Sequence, residues 1–460
     1  MQTKKEKQEL DLLHGSLWNK ILLFALPLAA SSILQQLFNS ADVAVVGRFA
    51  GSQALAAVGS NGAVINLLVN IFVGLSVGAN VMIARFLGEG NTSQVRKAVH
   101  TTVLVALLSG LLIMILGLII TRPILQLIQT PHDIIDLATV YLRIYFLGMP
   151  FMMLYNFGSA ILRSRGDTKT PFICLLISGI INVLLNLFFV IVCKLSVAGV
   201  GIATVISNII SASLILWFLT HEKGALRVNL RRLRMDVDIL KSIAKIGLPA
   251  GLQGVVFSLS NICVQSALNS LGSDTVAGSA AALNFEYFVY FLLNAFTQAC
   301  VTFTGQNYGA GEYARCRRVT QLCLLMGFVF STSLSLIFFF AGKGALHFYT
   351  TETAVIEIGL VRMKYCLVMQ FISVFMDVLS GSMRGLGYSL TPALISFAGS
   401  CAFRLLWVYL VFPLAPSFAT LMWVYPISWL ISSVASIVAY FIIRRRVANQ
   451  QPNATKTLSA

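Results

Sequence analysis

The stretch RSRGDTKTP, Arg163–Pro171, returns 221 positions later as RGLGYSLTP, Arg384–Pro392, with Arg, Gly, Thr and Pro in step. At the same offset RFLGEGNTSQVRK, Arg85–Lys97, matches QNYGAGEYARCRR, Gln306–Arg318, through its glycines and its terminal basic pair. With one residue of slip, ALPLAA, Ala25–Ala30, aligns with GLPAGL, Gly247–Leu252. Three segments repeated in one order mark an internal duplication. The boundary between its halves is the basic stretch HEKGALRVNLRRLRMDVDILK, His221–Lys241.

What each half contains follows from composition. Of 460 residues, 57% are hydrophobic and only 11% charged, against about a quarter charged in soluble domains. Mean hydropathy is +0.83. Twelve nearly uncharged windows of about 20 residues recur from 17–40 to 419–443, the length a helix needs to cross ~30 Å of hydrocarbon. No ten-residue alternation of a membrane β-barrel appears. The fold expected is an all-α integral membrane protein of twelve spans, in two six-helix lobes related by a pseudo-two-fold axis along the membrane normal. The lobes cover 17–219 and 243–443. A tail of 1–16, a linker of 220–242 and a tail of 444–460 complete the chain.

The net charge of +16 reads as topology, not as nucleic-acid binding. Lys and Arg collect at the N-terminus, in every second loop and at Arg444–Arg446, whereas the loops between carry single charges. By the positive-inside rule both termini are cytoplasmic, in a plasma-membrane protein. The eight cysteines are scattered, without CxxC or a His partner at metal spacing, and read as small apolar residues. The N-terminus lacks a removable signal peptide pattern, and its first apolar segment reads as a signal anchor.

Polar residues inside the apolar windows carry the functional expectation. In LFNSADVAVVG, Leu37–Gly47, Asp42 sits within a helical pattern, where a carboxylate costs at least ~2.5 kcal/mol at the bilayer centre. Gln35, Asn39 and Asp42 follow spacings of four and three and share one helix face. Asn66 and Asn70 in the second span, Asn182 and Asn186 in the fifth and Thr204 in the sixth add further polar stripes. Such oxygens suit a proton or a hard cation such as Na+, which Asp42, Asn182, Asn186 and Thr204 would hold. The second half differs: Val264 stands where Asp42 would be, and the acids are Glu286 and Asp377. Tyr287 and Tyr290 flank Glu286 as candidate aromatic faces for a flat cation. Arg404 is expected to pair with one of the two acids. Pro27 and Pro249 remove a backbone bond each and are candidate hinges.

With these residues in hand, the sequence resembles the multidrug and toxic compound extrusion (MATE) family over about residues 15–445. The resemblance rests on LPLAASSILQQLFNSADVAVVGR, GQNYGAGEYARCRR and the paired RGDTKTP and RGLGYSLTP loops. It implies an antiporter without cofactor that works as a monomer in the lipid bilayer, exchanging organic cations for H+ or Na+ by alternating access. The family's first-span aspartate falls on Asp42, and its partners in the fifth and sixth spans on Asn182, Asn186 and Thr204. Many relatives carry an aspartate at the position of Asn186. A seventh-span glutamate of some relatives falls on Phe257, so Glu286 and Asp377 are read as its replacements. A flippase for lipid-linked precursors is the alternative, and calls for cavity-facing basic residues. A membrane enzyme would need a constellation such as HExxH, and the five histidines are dispersed.

Overall fold

Hydrocarbon offers backbone N–H and C=O groups no partner, so each crossing has to close its hydrogen bonds within itself, as a helix does. The computed structural model describes residues 10–449 except 129 and 348–351, and excludes the side chains of 60, 63, 66 and 67. Its first half contains α1 (Leu17–Phe49), α2 (Ser52–Ser60), α3 (Gly62–Gly88), α4 (Thr92–Leu127), α5 (Ile135–Leu147), α6 (Met149–Ser164), α7 (Lys169–Leu187) and α8 (Ser196–His221). Then come α9 (Val237–Asn269), α10 (Ser273–Gly309), α11 (Tyr313–Phe340), α12 (Gly342–His347), α13 (Thr353–Arg362) and α14 (Ser373–Gly385). The chain closes with α15 (Leu390–Ser396), α16 (Phe403–Leu406), α17 (Phe418–Met422) and α18 (Val424–Asn449).

Eleven helical segments are long and apolar enough to cross a membrane, and α5 with α6, bent by 47° at Gly148, makes a twelfth. Each window read from the sequence overlaps one of these, the second, 54–80, also taking in most of the short helix α2. Helix ends run further than the windows: α1 continues to Phe49, so Asp42 lies inside a helix and not at its frayed end. No strand occurs among the described residues.

The duplication is written into the turns. Gly90 and Gly311 have φ of +67° and +77°, and Gly166 and Gly387 have +98° and +91°, a region open to glycine at little cost. The hydrogen bonds around them repeat as well. Asn91 N donates to Phe86 O at 3.1 Å, as Glu312 N does to Asn307 O at 2.9 Å. Asp167 N donates to Leu162 O at 3.1 Å, as Tyr388 N does to Met383 O at 2.8 Å. Both bonds are the six-to-one closure of a Schellman helix end.

The long helices bury small and polar residues and expose large apolar ones, the reverse of a soluble helix. On α18, Ser428, Ser432, Ser433 and Ser436 are buried, whereas Leu430, Ile431, Val434 and Val438 are exposed. Two compact units result. Most of the first is Pro27–Gly251, and the second takes Leu252 onward together with Gly15–Leu26. This differs from lobes drawn at the 220–242 linker, because the chain changes unit inside α1 and α9. It does so at or just after Pro27 and Pro249, where an absent N–H leaves the helix without one closing bond.

Candidate functional site

In the first unit, three helices, α1, α7 and α8, and the bent α5–α6 pair converge on Asp42. The 3.6-residue period of α1 puts Gln35, Asn39 and Asp42 on one face, and α7 presents Asn182 and Asn186 one turn apart. Close approach of these two helices requires Gly179. A Cβ there would stand 1.7 Å from the Phe38 ring, and the space it leaves lets α1 settle against α7. The Asn186 amide donates from Nδ2 to Asp42 Oδ1 and also lies 3.2 Å from Asn182 Oδ1. Asn182 Nδ2 in turn reaches Ser207 Oγ on α8 at 3.4 Å.

The amide chain ends on the backbone: Ser207 Oγ donates to Thr204 O at 2.8 Å, and Thr204 Oγ1 to Val200 O at 2.9 Å. One group is left over. Asn186 Oδ1 is buried without a hydrogen-bond partner, although Asn186 itself is fully buried, where an unmet acceptor costs ~1–3 kcal/mol. No basic side chain lies within ion-pair distance of Asp42 among the described residues. The Asp42 carboxyl and the Asn182 amide border a cavity of about 110 Å³, which Gln35, Asn39, Thr204 and Asn208 also line.

Tyr141 and Tyr145 of α5 and Tyr155 of α6 line the same cavity, and none was singled out in the sequence. Their signal was present, since Tyr141 and Tyr145 are one turn apart, but tyrosines on an apolar helix equally suit a membrane interface. Asn70 is half-buried on α3 and does not line this cavity, and the side chain of Asn66 lies outside the described residues.

The second unit carries a different arrangement. Glu286 is held by Arg362 in a two-point ion pair, Nε to Oε1 at 2.7 Å and Nη2 to Oε2 at 2.9 Å. Arg362 Nη1 also donates to Ser279 Oγ at 2.7 Å. Glu286 therefore does not offer a free negative charge to a cargo cation, and Arg362, which the sequence reading passed over, is the reason. Tyr287 and Tyr290 are exposed and pack near Phe291. Asp377 is half-buried and has no ion-pair partner within 4.0 Å among the described residues.

Arg404, expected to pair with an acid, pairs with neither. Its Nε donates to Ser428 Oγ at 3.1 Å and its Nη1 to Asn261 Oδ1 at 3.0 Å. The guanidinium lies 4.7 Å from the centre of the Tyr425 ring, and 6.0 Å from that of Phe257, within the range of cation–π attraction. Neutral partners thus hold a cation that is 2% exposed.

Comparison with known proteins agrees with the duplication. The chain is 30% identical over 388 residues to a probable multidrug resistance protein, YoeA, of Bacillus subtilis, covering 83% of this chain and 84% of the relative. It is 26% identical to a probable multidrug resistance protein, NorM, of Thermotoga maritima, with 84% of both chains covered. Among solved structures, a MATE transporter in a bent conformation superposes with a TM-score of 0.88 at 20% identity, covering 98% of this chain and all of that one. A MOP superfamily transporter from Pyrococcus furiosus superposes with a TM-score of 0.87 at 21% identity, covering 97% and 99%. The family model described as MatE matches twice, over residues 27–188 and 249–410, each match starting at one of the two prolines where the helices lose a bond. On that double match the chain belongs to the MATE family of membrane transporters.

Proposed function

We propose that this transporter is a secondary active antiporter that expels organic cations in exchange for H+ or Na+ across the plasma membrane. Asp42 is the coupling carboxylate in this reading. The observation that carries it is a carboxylate inside an apolar helix, bound by an amide, facing a cavity and lacking a basic partner among the described residues. A fixed ion pair would have neutralised Asp42 permanently, whereas an unpaired carboxyl is free to gain and lose a small cation. The cavity of about 110 Å³ is small beside the ~300–1,000 Å³ of drug-sized sites, so the coupling ion is assigned here and the drug is not. For Na+, Asp42 and the unmet Asn186 Oδ1 supply hard oxygen donors, with Asn182 and Thr204 nearby.

Coupling requires that the ion and the drug prefer different conformations, since a ligand moves an equilibrium only by its differential affinity. Ion binding at Asp42 favours the form that releases drug outside, and ion loss to the cytoplasm restores the form that takes it up. Proteoliposomes loaded with ethidium and given a Na+ gradient or a pH gradient in turn test this. One gradient should accelerate efflux, and Asp42→Asn should cut that acceleration by at least ~10-fold, within the range of usual coupling energies. Coupled efflux surviving in the variant would sink the reading.

Arg404 supports a second reading, with an anionic cargo. A buried cation without a carboxylate is the kind of group a phosphate would seek, and one relative, 26% identical, is named an FAD transporter, of Shewanella oneidensis. Labelled lipid-linked precursor moved across the same vesicles, with no ethidium efflux, would favour it.

A further inference from the structure

We infer that the second unit carries a binding site for the phosphate headgroup of an anionic phospholipid from the inner leaflet. The site is a cavity of about 490 Å³ between α11, α14 with its following turn, and α18. Arg317, Arg318 and Arg444 line it together with Gln321, Tyr313 and Tyr440. None of the three arginines has a carboxylate within 4.0 Å among the described residues. Leu386, Tyr440 and Val447 form part of its wall and belong to a buried apolar cluster. Guanidinium groups at an apolar hollow suit a ligand with a charged head and a greasy root.

The first unit shows what the same face does without a lipid. By the 221-residue register, Arg317, Arg318 and Gln321 correspond to Arg96, Lys97 and His100. There the chain covers the face itself. Leu226 and Val228, following α8, are each only 2% exposed. Asn229 N donates to His100 Nε2 at 3.4 Å, and Asp236 N to Thr101 Oγ1 at 3.0 Å. Asp236 sets a carboxylate oxygen 3.6 Å from Lys97 Nζ. In the second unit α18 instead runs on to Asn449, and no described segment supplies an acid to the three arginines. The first unit satisfies its basic pair partly with an internal carboxylate, and the second leaves three guanidiniums open on the side that charge asymmetry assigns to the cytoplasm. Basic hollows between helices on that side suit anionic headgroups.

Native mass spectrometry of the full chain in neutral detergent, titrated with cardiolipin and separately with phosphatidylcholine, tests the site. Cardiolipin should bind and phosphatidylcholine should not compete. The triple variant R317Q/R318Q/R444Q should bind cardiolipin about a hundredfold more weakly, on about fivefold per charge. R317K/R318K/R444K, which keeps the charge, should stay within about fivefold of the original and so exclude misfolding as the cause. R231Q/R232Q/R234Q, removing three exposed charges from the linker, should change binding less than about twofold. Equal losses in the two glutamine triples would reduce the effect to general surface charge and overturn the site. Displacement of cardiolipin by equimolar inorganic phosphate would reassign the pocket to a free ion. Much tighter lipid binding after deletion of residues 450–460 would assign it to the chain's own tail. Either result overturns the lipid as occupant.

Discussion

Two half-buried acids with opposite surroundings separate the functions of single residues. Asp42 has an amide donor and, among the described residues, no cation, whereas Glu286 has a guanidinium at both oxygens. Removing one member of a buried pair leaves the other uncompensated, which costs ~3–5 kcal/mol, whereas replacing both often costs little. Arg362→Met should therefore lower the thermal unfolding temperature in detergent sharply, and Arg362→Met with Glu286→Gln should recover at least half of the loss. If the double variant were no better than the single one, the ion pair would not be what holds α10 to α13.

Helices place these residues through contacts only glycine permits. At Gly179 any side chain would overlap Phe38, so α1 and α7 could not keep their present separation. Gly179→Ala should cost ~1–3 kcal/mol of stability, the usual penalty for overpacking. It should also weaken gradient-driven efflux, since Asp42 and Asn186 lie on these two helices. Adding Phe38→Ala should restore efflux; failure of that rescue would mean that the glycine matters for something other than helix approach. Pro27 and Pro249 belong to this scale too. Their place at the change of unit supports the hinge reading, with Ser31 Oγ bonded to Pro27 O at 2.8 Å beside the gap in the ladder.

For the whole molecule, the charge asymmetry predicts a topology that one native cysteine can test. Cys193, in the turn between α7 and α8, is exposed, whereas six others are buried and Cys263 is half-buried. In intact cells a membrane-impermeant maleimide should label the protein, and Cys193→Ser should abolish that labelling. Labelling only after the membrane is opened would invert the orientation. The linker is expected to respond to acid. The N–H of Ile239 and the Lys97 ammonium, with the N–H of Asp238, hold the Asp236 carboxyl below its ordinary 3.8. A carboxyl depressed in the folded state contributes stability above its unfolded value and loses that contribution as pH falls through the folded one. Proteolysis of the linker near Asp236 by an acid-active protease should therefore quicken as pH drops below about 4, and Asp236→Asn should remove most of that pH dependence.

Twelve spans, their duplication and the unusual placing of Asp42 were legible because each rests on one-dimensional facts. Hydrocarbon thickness sets a length, a repeat sets an offset, and a carboxylate in an apolar window is costly wherever the chain goes. The Asn182 and Asn186 stripe was legible for the same reason, through the helical period. Arg362 was not, because its partner is 76 residues away and ion pairing is decided by which helices pack together. The same holds for Arg404, which finds a ring and two neutral groups where a carboxylate was expected. The place where the compact units divide was likewise hidden, since contact density, and not the linker's composition, puts it at Pro27 and just after Pro249. Sequence determined which groups must be buried; tertiary packing decided which of them would find a partner there.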